Sequence, residues 1–503
     1  MSRAIVIGTG FGGLAAAVRL SHLGYQVLML EAGDSAGGRA RVFERDGFKF
    51  DAGPTVITAP YLLDELFELS GRRRQDYVDF VPVDPFYRCT FPDGRTFDYF
   101  GDDERLLAQI AQFSPQDVDN YRRLVKHAER IFDVGYSKLA DQPFERLGDM
   151  LRILPDLVRL SAYRSVYDLV ASYIKDEQLR QVLTFEPLLV GGNPLRVPGI
   201  YLLIHWLERK WGVHFARGGT GAIVGALLKL LDELGVEVRY RSAVEEIIVE
   251  SGRVTGVYLK DGVRLDADVV VSNADPTVVY CQMLGSAKLR KNTPKRALGR
   301  KQSMSLFVGY FGTNRTFPQT AHHTIVLGPR YKGLLSDIFD RRVLADDFSL
   351  YLHRPSASDP SMAPPGHDAF YVLSPVPNQL SGIDWEKEHE RYFDRILAGL
   401  EERELPQLRE SIVTRFSVDP RYFEHDLNSH HGAAFGLEPV LSQSAYFRYQ
   451  NRCPEVSGLY FVGASTHPGA GIPGVLCSAK VLERVIEPVR RSTCGLAHGH
   501  AAE

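Results

Sequence analysis

The chain has 503 residues, 44% of them hydrophobic, and a formal net charge of −3. That length allows two or three domains around a large core, and the balanced charge excludes the basic excess of a nucleic-acid binder. Five scattered cysteines without a C-x-x-C pair suit a reducing compartment, and no run of about 18 apolar residues suggests a spanning helix.

The first apolar run, at 4–7, leads into Gly8-x-Gly10-x-x-Gly13, a helical stretch to about Gly24, a second apolar run at 27–30, and Glu31. In this strand–turn–helix–strand–acid order each part has a physical task. Gly8 permits the tight turn, Gly10 lets backbone N–H groups approach a pyrophosphate, and Gly13 lets the helix pack on the strand. Phe11 and Gly12 open a helix whose positive end faces the phosphates. Glu31 is spaced to accept a hydrogen bond from a ribose 2′-hydroxyl, which favours FAD or NAD over NADP. No second unit of this kind follows. Gly218-Gly219-Thr220-Gly221 is the nearest candidate, and residues 211–217 ahead of it do not form a convincing buried strand. The chain therefore reads as a flavoprotein whose reducing equivalents leave by a route other than bound nicotinamide.

Residues 1–75 are read as the first piece of an FAD-binding domain. From 76 to 215, apolar residues recur at helical spacing, as at Leu151, Leu154, Leu157 and Val158, and Ser114-Pro115-Gln116-Asp117 carries helix-start signals. This segment is expected to be a helical, membrane-facing subdomain. A second FAD piece at 216–288 holds a helix at 222–234 and strands at 236–240, 244–249, 254–259 and 269–272, with Val244 taken as a cofactor contact. Residues 289–440 are expected to form a substrate-binding mixed sheet, with strands at 303–311, 348–353 and 369–375. The third FAD piece, 441–493, has a strand ending at Gly463-Ala464, and then a loop in which Gly471, Ile472, Pro473, Gly474 and Val475 open the last helix. That helix start would favour negative charge on a flavin while small residues leave one ring face open. Residues 494–503 read as a loose tail. The fold class is α/β, a Rossmann-like FAD-binding domain assembled from separated segments around an inserted substrate domain of antiparallel sheet.

Gly37-Gly38-Arg39 and Asp51-Ala52-Gly53-Pro54-Thr55 resemble the glycine-doublet extension of the FAD-dependent amine oxidase and carotenoid desaturase superfamily. The resemblance implies that Gly38 and Arg39 lie along the pyrophosphate and ribityl chain. Residues 463–475, 50–58, 189–194, 215–221 and 351–355 are similar to bacterial-type phytoene desaturases, most of all the lycopene-forming, four-step type, in a match running from about 4 to 486. It implies dehydrogenation of a membrane-dissolved carotenoid, with quinone or oxygen as terminal electron acceptor. The protein would lie in the cytoplasm, peripherally on the inner face of the cell membrane. A carotenoid cis–trans isomerase or an amine oxidase-like enzyme is the alternative on the same scaffold.

In an apolar channel, one carboxylate near the flavin would stabilise a developing allyl cation and accept a proton. Asp149, with Arg152 one turn along, matches a family position suspected of acid–base work; Glu186 and His467 are the other candidates. The apolar stretch 198–207 and the leucines around Arg152, Arg159 and Arg164 fit an interfacial surface, and they fit core helices with solvated arginines equally well. His322-His323 and His430-His431 are adjacent pairs that point different ways on a strand, so no metal site is expected.

Overall fold

The computed structural model describes residues 2–285 and 287–489, and the tail expected at 494–503 lies outside them. An all-parallel, five-stranded sheet has the order Leu459–Phe461, Val269–Ser272, Arg3–Ile7, Gln26–Leu30, Glu237–Arg239. Its three central strands are mostly apolar along both faces because both are covered. Ala4 and Val6 pack into a core shared with the helices Phe11–His22, Thr220–Glu233 and Ile472–Val485. Ile5 and Ile7 point the other way, toward the antiparallel strands Val244–Glu250 and Arg253–Leu259. The buried Arg19 guanidinium pairs with Glu65 and Glu483, tying the first helix to the helices Tyr61–Glu68 and Ile472–Val485.

A second sheet has seven strands in the order Ile412–Val418, Ser305–Thr313, Asp368–Val376, Leu350–His353, His323–Val326, Tyr87–Thr90, Thr96–Tyr99. Neighbours are antiparallel except the pair His323–Val326 and Tyr87–Thr90. Alternation along the strands sends Phe307, Phe311 and Phe370 onto the helix Trp385–Arg403, and Val308, Tyr310 and Tyr371 into the opposite core.

The stretch read as helical holds helices at Asp103–Phe113, Asp117–Gly135, Leu147–Arg159 and Leu203–Trp211. It departs from that reading at its start, where Phe80–Pro82, Tyr87–Thr90 and Thr96–Tyr99 are strands, the last two a hairpin on the edge of the large sheet. The cause is local: Tyr87, Cys89, Phe97 and Tyr99 alternate with polar residues at period two and are all buried. Among the described residues no helix is long and apolar enough to cross a membrane.

Candidate functional site

The first strand ends in Gly8 at φ +89°, a conformation that suits glycine, and its N–H donates to Leu30 O at 2.8 Å. The following helix starts with Gly10 as its cap and has no acid in its first turn, so its free N–H groups present partial positive charge. A Cβ on Gly13 would lie 2.1 Å from Gly8 O, and one on Gly12 would lie 2.5 Å from Asn273 Oδ1 and 3.1 Å from the Gly463 backbone. Three remote segments thus close around one turn through missing side chains. The contribution of Asn273 had no signal beyond its place after the strand Val269–Ser272.

Glu31 follows the second strand. Its Oε2 accepts from Thr9 N at 3.0 Å and its Oε1 from Gly33 N at 2.9 Å, which fixes the carboxylate at the cavity edge. Arg39 also lines the cavity, donating to Ser429 Oγ at 2.8 Å, while its buried Nε has no protein partner among the described residues. Burial lowers its pKa, and the charge of Asp275 partly opposes this. A buried guanidinium with an unused donor, next to a helix N-terminus, is the donor set a pyrophosphate needs. Gly37, Gly38, Gly53, Pro54, Thr55 and Val244 line the same space, as do Gly463, Ala464 and residues 471–475. Gly13 does not; its place against Gly8 is one of packing. The helix Ile472–Val485 starts from Gly471 at φ +91°, again without an acid in its first turn.

This cradle opens into a single cavity of about 950 Å³, whose far wall includes Leu188, Ile200, Leu306, Val308, Leu327 and Leu335. Glu208 lines it alongside Ile204 and Leu207 of the helix Leu203–Trp211. The residue is buried; its Oε1 accepts from Tyr87 OH at 2.7 Å, and its Oε2 has no partner among the described residues. Burial, and then the charge of Glu186, push the Glu208 carboxyl well above the usual carboxylate range. Glu186 is buried behind it, outside the cavity lining, with Oε1 3.0 Å from His205 Nδ1 and its own pKa raised by burial. His205 reaches Tyr121 OH through Nε2 at 3.0 Å, and burial lowers its pKa to about 3. His205 is therefore neutral, and its contact with Glu186 is a hydrogen bond and not an ion pair.

His467 lines the cavity beside Ala464; burial, with Arg448 adding to it, lowers its pKa to about 4. The carboxylate of Asp149 lies outside the cavity lining and accepts from Arg146 N at 3.0 Å, capping the start of the helix Leu147–Arg159. Arg152 is exposed on that helix. Met150, Ile153 and Leu157 of the same helix line the cavity, while Leu147, Leu151, Leu154 and Val158 are 49–62% exposed. Glu208 directly follows the apolar stretch 198–207 and was not singled out from sequence; it turns inward one helical turn after Ile204.

The family model described as flavin containing amine oxidoreductase matches residues 11–480, and the chain belongs to that family. It is 50% identical to a lycopene-forming phytoene desaturase of Pseudescherichia vulneris, over 95% of this chain and 98% of that one. It is 49% identical to a protein of the same description from Pantoea ananas, over 95% and 98% of the two chains. A neurosporene-forming phytoene desaturase of Rhodobacter capsulatus is 44% identical over 97% and 94%. Among solved structures, an oxidoreductase from Methanosarcina mazei aligns with TM-score 0.65 at 18% identity, covering 96% of this chain and 100% of that one. A putrescine oxidase bound to putrescine aligns with TM-score 0.61 at 14% identity, covering 96% and 97%. These two show the shared fold. The protein is an FAD-dependent oxidoreductase, and the cradle described above fits that cofactor.

Proposed function

We propose that the protein desaturates phytoene in successive steps to lycopene. The observation that carries this reading is the single cavity joining the nucleotide cradle to a long apolar wall. A hydrocarbon of about forty carbons, at ~0.8 kcal/mol per buried methylene, is held in a lipid phase by tens of kcal/mol. Only an apolar, water-excluding chamber can accept it from there. The half-identical relatives, whose names specify lycopene formation, support the same substrate and end product.

FAD, when bound, supplies the two-electron acceptor that each dehydrogenation requires. The chain does the rest. Gly8, Gly10, Gly12, Gly38 and Arg39 would hold the pyrophosphate, and Glu31 the ribose. The helix start at 471–475 would favour negative charge on the acceptor, and the apolar wall would align the polyene. As hydride leaves an allylic carbon, Glu208 Oε2 takes the proton from its neighbour. Tyr87 holds the other oxygen in place, and the dry setting makes the carboxylate a strong base. His467, kept neutral by burial, is the second acceptor available on the wall. Glu186 tunes Glu208 from behind.

Substrate enters from the bilayer past the helix Leu147–Arg159, whose outer leucines would sit among acyl chains with Arg152 and Arg159 at the headgroups. On this reading the protein is peripheral on the inner face of the cell membrane, and quinone or oxygen is the terminal acceptor. Incubating the FAD-loaded protein with phytoene in liposomes and separating the carotenoids tests the assignment. Lycopene is the expected end product, and unchanged phytoene would refute it.

A further inference from the structure

Behind the cavity wall, three histidines from two separate segments of the chain meet. His323 and His353 are register partners on adjacent antiparallel strands, and His322 stands just ahead of the first of these. All three are buried, and their ligand atoms lie within 4.8 Å of one another. The rings of His322 and His323 are not splayed to opposite faces; their centroids are 4.4 Å apart at 80°. The rings of Phe215 and Tyr87 close the surroundings.

Five buried polar atoms in this pocket lack a hydrogen-bond partner among the described residues: Nε2 of His322, Nε2 of His323, both ring nitrogens of His353, and Oδ2 of Asp51. Asp51 Oδ1 is occupied by Thr220 N and Oγ1 at 2.7 and 2.8 Å, which leaves Oδ2 at 3.6 Å from His353 Nε2. Tyr371 OH donates to Gly53 O at 3.2 Å, and Thr55 Oγ1 links the Tyr371 and Tyr351 hydroxyls at 2.9 and 2.8 Å. Tyr351 OH lies 2.6 Å from His323 Nδ1, which anchors that nitrogen and leaves Nε2 as the one open to a ligand. His322 is anchored in the same manner, with Nδ1 2.7 Å from Ser358 Oγ and Nε2 free. An anchored Nδ1 with an open Nε2 is the arrangement of a metal-ligating histidine and its outer-shell partner.

We propose that His322, His323 and His353 bind a divalent transition metal of the zinc type, with Asp51 as the anionic fourth group. Nitrogen ligands at about 2.0–2.1 Å in a tetrahedron are roughly 3.3 Å apart, so side-chain movements of less than about 1 Å bring the three imidazoles onto one ion, while Asp51, outside that cluster, approaches from the side of His353. Neutral imidazoles and one carboxylate suit zinc in chemistry and in charge. None of the three histidines lines the cavity, so the ion is structural. It pins the strands His323–Val326 and Leu350–His353 to the end of Phe48–Asp51, from which the Gly53–Thr55 edge of the nucleotide cradle continues.

The test is the zinc content of the full-length, FAD-loaded protein after incubation with zinc and gel filtration, together with its zinc K-edge X-ray absorption. About one zinc per chain with imidazole scattering is expected. His322→Gln combined with His323→Gln should lower the zinc content about 10-fold or more while bound FAD is retained. Trace zinc in the wild type, zinc without imidazole scattering, or equimolar zinc in a double variant that still holds FAD would each overturn the site. If the variant fails to hold FAD, the wild-type content and absorption spectrum decide alone.

Discussion

At the nucleotide end of the cavity, backbone forms the lining: Gly8, Gly10, Gly38 and Gly463 expose main chain there, and Asn273 stands where side chains on Gly10, Gly12 and Gly463 would go. At the apolar end, side chains form it, and they come from remote segments such as Leu188, Ile200, Leu306 and Leu335. The first kind of site fails when any Cβ is added. The second should absorb exchanges among apolar residues of similar volume and fail only where a buried polar group is removed or a charge is introduced. A phosphate is bound by many fixed dipoles, whereas a hydrocarbon needs only the absence of water and one positioned base.

Gly10→Val puts the greatest load on this contrast. Its Cβ would stand 2.8 Å from Asn273 Nδ2, and its methyl groups would occupy pyrophosphate space. The variant should emerge from gel filtration without flavin absorbance, and normal FAD content would break the assignment of the turn. Glu208→Gln should keep its FAD and lose about 10²-fold or more in desaturation rate. In the wild type the reacting form of Glu208 is the carboxylate, so the rate should rise with pH through its raised pKa. Glu186→Gln should shift that acid limb to lower pH by removing the neighbouring charge. A flat profile, or an unchanged limb in Glu186→Gln, would move the proton acceptor elsewhere.

Leu151→Glu with Leu154→Glu should abolish co-sedimentation with anionic vesicles and leave FAD content intact, since both side chains are mostly exposed. Retained vesicle binding would place the membrane face on another part of the chain. The smallest effect is expected at Asp149→Asn: loss of part of a helix cap costs about 0.5–1 kcal/mol of stability, read by thermal unfolding, with near-normal turnover. A loss of activity comparable to that of Glu208→Gln would restore Asp149 as a reacting group.

The cradle could be read from sequence because its chemistry is local: Gly8 to Gly13 and Glu31 lie within one strand–helix–strand unit, and residues 471–475 are contiguous. The three central parallel strands could be read for the same reason, as short apolar runs at 4–7, 27–30 and 269–271. The edge hairpin at 87–99 was hidden by helical periodicity downstream of it. Glu208 and the histidine pocket were hidden more deeply. The inward turn of Glu208 depends on Tyr87, 121 positions away, and His353 joins His323 only through strand pairing. Asp149 shows the converse: a carboxylate with an arginine one turn along has the spacing of a functional pair, but in the fold it caps its own helix.

The central claim, flavin-linked removal of hydrogen from a carotenoid held in the apolar chamber, is tested most directly without oxygen. FAD-loaded protein is mixed anaerobically with phytoene liposomes, and the flavin and carotenoid absorbance are followed together. The account predicts bleaching of the bound flavin in step with the appearance of a more conjugated carotenoid. Carotenoid conversion with no flavin bleaching, as an isomerase would give, or bleaching by amines and not by phytoene, would contradict it.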